Sequence, residues 1–186
     1  MVVYTTVYVG DYMWNIEETA CLSGHRPNKL PWFYDETKES CVKFKHDLQT
    51  LFIGAYEYGL KNYLVGMAEG FDMIGAETLI ELRRTYKDIK IFAIIPCKNQ
   101  EKKWKTEQQI RYQNILKQCD EVITLSEEYT PTCMNERNEY MVKHSSVLIA
   151  CYNGKPSGTR NTIRFAKENG CKVRIIDINN YKNYKK

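Results

Sequence analysis

The chain lacks the paired spacings of a metal or disulfide protein. Its seven cysteines stand at positions 21, 41, 97, 119, 133, 151 and 171, form no Cys-x-x-Cys, and are odd in number. Cys21, Cys97, Cys151 and Cys171 fall in or beside segments that read as strands, where a thiol behaves as a small apolar residue. That pattern speaks against a disulfide framework and a structural zinc, and points to a reducing, cytoplasmic setting. Also missing are an apolar run of membrane-spanning length and a charged N-terminal segment leading into one, so no membrane partner and no secretory leader are expected. With no internal repeat, no low-complexity tract and no Pro/Gly linker, one domain is the economical organisation of 186 residues.

A dense basic stripe is absent too. Lys and Arg total 27 against 23 Asp and Glu, a formal net charge of +4. Part of that excess sits in the tail 181–186, read as basic and solvated. A dedicated nucleic-acid binder shows a stronger basic face, so nucleic acid is not expected as a partner. A small anionic ligand, which a few Arg, Lys and backbone donors can hold, is expected instead.

What the chain does have is alternation. From Ala20 onward, short apolar strands alternate with helix-length segments through short connections, the mark of a parallel α/β sheet. Strands are predicted at Ala20–Leu22, Tyr63–Gly66, Lys90–Ile95, Glu121–Leu125, Ser146–Tyr152 and Lys172–Asp177. Helices are predicted at Glu36–Tyr58, Met73–Tyr86, Trp104–Gln118, from Thr130-Pro131 to Lys143, and at Thr159–Asn169, with Gly170 as a C-terminal cap. Residues 1–19 do not fit the alternation: Val2–Val9 and Tyr12–Ile16 flank Gly10-Asp11 as in a β-hairpin. That extension reads as an edge addition, a lid or a dimer contact, and a homodimer or higher homo-oligomer is compatible with it. The predicted organisation is therefore an extension at 1–19, a ligand-binding domain at 20–180 and a basic tail at 181–186.

Three turns that follow strands are the candidate site. The first is Ser23-Gly24-His25-Arg26-Pro27, in which Gly24 allows close backbone approach and His25 and Arg26 supply donors. Arg26 either forks onto a phosphate or pairs with a surface carboxylate. The second is Gly66-Met67-Ala68-Glu69-Gly70-Phe71-Asp72, where Asp72 reads equally as an acceptor for a ribose hydroxyl and as a helix N-cap. The third is Gly154-Lys155-Pro156-Ser157-Gly158-Thr159, small residues that let the backbone meet an anion, with Thr159 able to cap or bind phosphate. On the segment after Thr130, Met134, Arg137, Asn138 and Met141 share one helical face. A buried Arg137 needs a partner, either a carboxylate or a ligand phosphate. In an open parallel sheet, turns of this kind converge outside the carboxyl ends of the strands.

Five ordered motifs add a resemblance. SGHRP, GMAEGFD, IPCKNQEKKW, CMNERNEYMV and SGTRNT, spanning about Ala20 to Asp177, resemble the YpsA-like family of the SLOG superfamily. The resemblance implies a Rossmann-like α/β fold, with a mostly parallel sheet and helices on both faces, and a pocket for nucleotides or NAD-derived molecules. It is similar in part to the LOG phosphoribohydrolases, which pair Arg-x-x-x-Met with Gly-Gly-x-Gly-Thr-x-x-Glu: Arg137 and Met141 match the first, Gly158 and Thr159 the second. The catalytic Glu falls at Thr162, and Asn161 beside it is no acid. Glycosidic hydrolysis needs a carboxylate at the leaving base. The expectation is thus non-enzymatic binding of a nucleotide of the ADP-ribose or cyclic ADP-ribose class, as a sensor or a sequestering sponge, with no metal and no cofactor. The alternatives are a glycosidase that uses Asp72, Glu69 or Glu77, and a single-stranded nucleic-acid binder of the kind DprA, a relative in fold, represents.

Overall fold

A computed structural model describes residues 5, 6, 14–182 and 184. Among the described residues seven strands form one sheet: β1 (Thr5–Thr6), β2 (Thr19–Gly24), β3 (Asn62–Val65), β4 (Lys90–Ile95), β5 (Glu121–Thr124), β6 (Val147–Tyr152) and β7 (Lys172–Asp177). The order is β1-β5-β4-β3-β2-β6-β7, and every neighbouring pair is parallel. From β2 the chain steps outward through β3, β4 and β5, then returns to the other side of β2 for β6 and β7. The reversal between β2 and β6 opens a crevice at the carboxyl ends of these strands.

Helices cover both faces, because side chains of successive strand residues point to opposite sides. Ala20 and Leu22 of β2 face the layer made by α1 (Glu39–Glu57), α2 (Phe71–Leu82) and α3 (Thr106–Leu116). Cys21 between them faces α4 (Cys133–Lys143) and α5 (Gly158–Glu168). In α1 the buried Cys41, Phe44, Leu48 and Phe52 recur at helical spacing and form the stripe that seats it. On the opposite layer, Met141 and Val142 of α4 and Ile163 and Ala166 of α5 pack with Trp14, whose indole N–H donates to His144 O at 3.1 Å. This is the parallel α/β sheet that the alternation implies and the Rossmann-like fold that the resemblance implies.

Two boundaries differ instructively. The fourth helix begins at Cys133 with Thr132 as its N-cap, two residues beyond the predicted Thr130-Pro131 start. The Thr132 hydroxyl donates to Glu136 rather than capping the backbone, and Cys133 N–H reaches back to Thr130 O at 3.3 Å, so the preceding residues form a separate turn. The predicted N-terminal hairpin lies almost wholly outside the described residues. Its described parts are Thr5–Thr6, which pair in parallel with β5, and Trp14–Ile16, of which Trp14 packs in the core, Asn15 caps a 3-10 turn and Ile16 opens that turn over Ile16–Glu18. All seven cysteines are free thiols, six of them buried.

Candidate functional site

The turns after β2, β3 and β6 and the first turns of α4 meet around a cleft of about 290 Å³. Of the residues singled out from sequence, Ser23, Gly24, His25, Arg26, Ala68, Asp72, Arg137, Asn138, Ser157, Gly158 and Thr159 line it. Met134, singled out on the face of Arg137, lines it as well, and so do Asn28, Lys29 and Asn135, which sequence reasoning did not single out. Their signal was proximity: Asn28 and Lys29 follow Pro27 in a single 3-10 turn, and Asn135 follows Met134 on α4.

His25 ties two of the turns together. Asn153 N–H donates to its Nε2 at 3.1 Å, so Nε2 must be unprotonated and the neutral ring carries its proton on Nδ1. Only 2% of this side chain is exposed, and burial lowers its pKa. The expectation that His25 supplies a donor therefore holds at most for Nδ1. Its main-chain carbonyl accepts from Phe71 N–H at 3.1 Å, which fixes the start of α2 against the end of β2. Gly24 is required at the same junction, for a reason other than ligand approach. A Cβ there would lie 2.4 Å from the Phe71 ring.

Arg137 is 4% exposed and sits beneath the cleft. Its Nη1 donates to Gly66 O and, at 3.4 Å, to Ile94 O, while Nε donates to Asn138 Oδ1 at 2.9 Å. Of the two partners considered from sequence, a carboxylate is not its direct contact among the described residues; two main-chain carbonyls hold Nη1 and the Asn138 amide oxygen holds Nε. Asp72 acts on it electrostatically and opposes the fall in pKa that burial causes. A side chain at Gly66 would put Cβ 2.0 Å from Nη1, so Gly66 serves the arginine and does not itself line the cleft.

Asp72 is the one carboxylate among the cleft's lining residues. It lies in the first turn of α2, whose N-cap is Gly70, and its Oδ2 accepts from Ala68 N–H at 3.2 Å. Burial raises its pKa, with Arg137 and Arg26 pulling the other way. The other acids weighed as replacements are elsewhere. Glu77 is bonded to Arg111 on α3 at 2.8 and 2.6 Å, and Glu69 accepts from Tyr34 at 3.4 Å; neither lines the cleft.

Three further candidates stand aside for physical reasons. Met67 is fully buried with φ 55°, and its carbonyl accepts from Gln100 Nε2 at 3.2 Å. Met141 belongs to the core between α4, α5 and the sheet. Gly154 has φ 82° and shapes the third turn, outside the cleft lining.

At the third turn Ser157 caps α5, its Oγ accepting from Arg160 N–H at 3.3 Å. Among the described residues the N–H groups of Gly158 and Thr159 find no acceptor, and they lie at the positive end of the helix dipole. The side chains of Arg26 and Lys29 likewise form no hydrogen bond or ion pair among the described residues, which disfavours the surface-carboxylate role for Arg26. Thr162, at the position of the LOG acid, is buried and engaged on both sides. Asn138 Nδ2 donates to its hydroxyl at 3.0 Å, and the hydroxyl donates to Gly158 O at 3.1 Å. Chemically, the cleft sets three cations and two free N–H groups against a single carboxylate. No group of three metal-ligating side chains occurs among the described residues.

Comparison with known proteins agrees with this fold. The model of the YspA SLOG family matches residues 20–181. The SPbeta prophage-derived protein YoqJ of Bacillus subtilis is 33% identical over 118 residues, covering 57% of this chain and 69% of that one. A UPF0398 protein of Bacillus cereus (strain G9842) is 29% identical over 168 residues, 88% of this chain and 86% of its own. Among solved structures, DNA processing protein A from Helicobacter pylori, described for its single-stranded DNA binding mode, shares the fold at TM-score 0.58 and 18% identity. The match covers 87% of this chain and 69% of that one. One expectation needs correcting in consequence. Nucleic acid was set aside for want of a basic stripe, yet this fold is found in a protein described as binding single-stranded DNA, so modest net charge is no ground for setting it aside. No helix among the described residues is long and apolar enough to cross a membrane.

Proposed function

The chain belongs to the YspA SLOG family, and from that premise and the cleft we propose that it binds a phosphate-bearing nucleotide without cleaving it. The ligand class is a nucleotide or NAD-derived signalling molecule such as ADP-ribose or a cyclic form of it, which the protein senses or sequesters. One observation carries the reading. Arg26 and Lys29, unpaired, share a single cleft with the free N–H groups of Gly158 and Thr159, at the point where strand order reverses. Each donor set suits phosphate, and the crevice at the reversal is where such sheets take ligands. Retention of the ligand intact follows from Thr162, a hydroxyl already committed to two hydrogen bonds where a LOG enzyme has its acid.

A second reading is favoured by the fold shared with the single-stranded DNA-binding protein: the same phosphate cradle receives a backbone phosphate of a strand. One titration separates the two. Calorimetry with ADP-ribose, NAD, AMP and a short single-stranded oligonucleotide is expected to show nucleotide binding that weakens about tenfold or more in Arg26→Ala, because a charge-assisted contact is worth about 1.5–3 kcal/mol. Chromatography of the supernatant after denaturation is expected to recover each nucleotide unmodified. Binding of the oligonucleotide alone selects the second reading. Free base released by the wild type and not by Asp72→Asn overturns retention, and no binding by any probe overturns both readings.

A further inference from the structure

A polar groove of about 140 Å³ between α4 and α5 adjoins the cleft, and Asn135 and Asn138 line both. Its other walls are Glu139, Asn161, Thr162, Arg164, Phe165 and Glu168. Asn138 and Thr162 are bonded to each other and form a fixed floor. The side-chain amides of Asn135 and Asn161 and the carboxylate of Glu139 are different: none makes a hydrogen bond or ion pair among the described residues. Glu139 is half-buried, so an unpaired carboxylate there has lost part of its hydration without gaining a donor. Glu168 has only Arg164, at 3.8 Å and exposed.

The charges of the two compartments differ in sign. The cations Arg26, Lys29 and Arg137 all line the cleft, whereas the groove holds two carboxylates and one arginine. A phosphate is therefore directed to the cleft and repelled from the groove. What the groove suits is an uncharged, planar group with N–H donors at its edge: Glu139 accepts, the two free amides both donate and accept, and Phe165 offers an aromatic wall. Paired amide contacts of this kind match a base that presents an amine beside a ring nitrogen.

We infer that the α4–α5 groove is a base subsite, which takes an amine-bearing nucleobase of a nucleotide whose phosphate lies in the neighbouring cleft. The inference rests on the phosphate reading above and names which base that reading prefers. Glu139 and Asn161 select the amine, and Asn135 spans the two compartments.

The test compares ribose 5-phosphate, AMP and IMP by calorimetry on the full chain and on Glu139→Gln and Asn161→Ala. Both substituted positions are partly or fully exposed, and neither side chain contributes a hydrogen bond among the described residues. AMP is expected to bind at least tenfold more tightly than ribose 5-phosphate, and IMP to lose most of that gain, since a keto group meets Glu139 acceptor to acceptor. Each variant is expected to weaken AMP roughly tenfold and leave ribose 5-phosphate unchanged. Equal affinity for AMP and ribose 5-phosphate, or AMP affinity unmoved in both variants, overturns the base subsite and leaves the phosphate cleft standing. Failure of ribose 5-phosphate to bind, with AMP binding retained and sensitive to both variants, upholds the groove and overturns the cleft as the phosphate site. Binding by none of the three overturns both.

Discussion

At the scale of single residues, the arginine beneath the cleft shows how a functional-looking side chain can be a structural one first. Arg137 reads from sequence as a ligand contact or half of an ion pair, and in the structure its Nη1 is held by the carbonyls of Gly66 and Ile94 while Nε donates to Asn138. Its removal leaves two buried acceptors without that donor, at a cost of about 1–3 kcal/mol for an unsatisfied buried group. Gly66→Ala acts on the same contact from the other side, since its Cβ meets Nη1 at 2.0 Å, and overpacking of this kind costs about 1–3 kcal/mol. The two substitutions are therefore expected to be non-additive. Gly66→Ala should be markedly less harmful in the Arg137→Ala background, with a coupling above about 1 kcal/mol by denaturant unfolding. Additive losses would show that the glycine and the arginine act independently.

At the scale of elements, α4 and α5 are joined by a short polar chain through the position where a catalytic acid was sought. Asn138 of α4 donates to Thr162 of α5, which donates to Gly158 O in its own first turn. Thr162→Val keeps the shape and removes the hydroxyl, so the Asn138 amide and the Gly158 carbonyl each lose a partner. The expected cost is about 1–3 kcal/mol, or a fall of roughly 2–12 °C in Tm for a chain of this size. An unchanged Tm would mean that water replaces the hydroxyl at no cost. Element boundaries follow the same lesson. The third turn was legible from its small residues after a strand, but its cap was read at Thr159, whereas Ser157 caps α5 and Thr159 lies inside the helix. The start of α4 was misplaced because Thr130-Pro131 resembles a cap and first turn locally, while the hydrogen bonds begin at Thr132.

For the molecule as a whole, His25 links the two halves of the sheet across the strand reversal, through Asn153 beyond β6. Its folded pKa is lowered by burial, so below an unfolded value of about 6.5 the unfolded chain binds the extra proton more readily. Stability from this group is thus complete above that value and declines as pH falls through it towards the folded pKa. Tm measured at pH 8 and pH 5.5 is expected to fall more in the wild type than in His25→Gln, which can still accept from Asn153 and does not titrate. Equal pH dependence in the two would remove His25 as the link that acid breaks.

The sequence by itself determined the class of fold and the order of its turns, because both rest on local physics: apolar strand runs, helical spacing of apolar residues, and Ser and Gly at strand-to-helix turns. It also marked most of the cleft, since Ser23–Arg26, Ala68 with Asp72, and Ser157–Thr159 lie in turns that each follow a strand, and a parallel sheet brings such turns to one edge. Only the tertiary structure decided what each residue does there. Gly24 makes room for Phe71, Gly66 makes room for Arg137, His25 accepts from a turn 128 residues away, and Thr162 is spent on a helix contact. Those roles depend on distances between segments remote in the chain, which spacing along the sequence does not encode. The groove between α4 and α5 is of the same kind, because Glu139 and Asn161 become neighbours only when the two helices pack side by side.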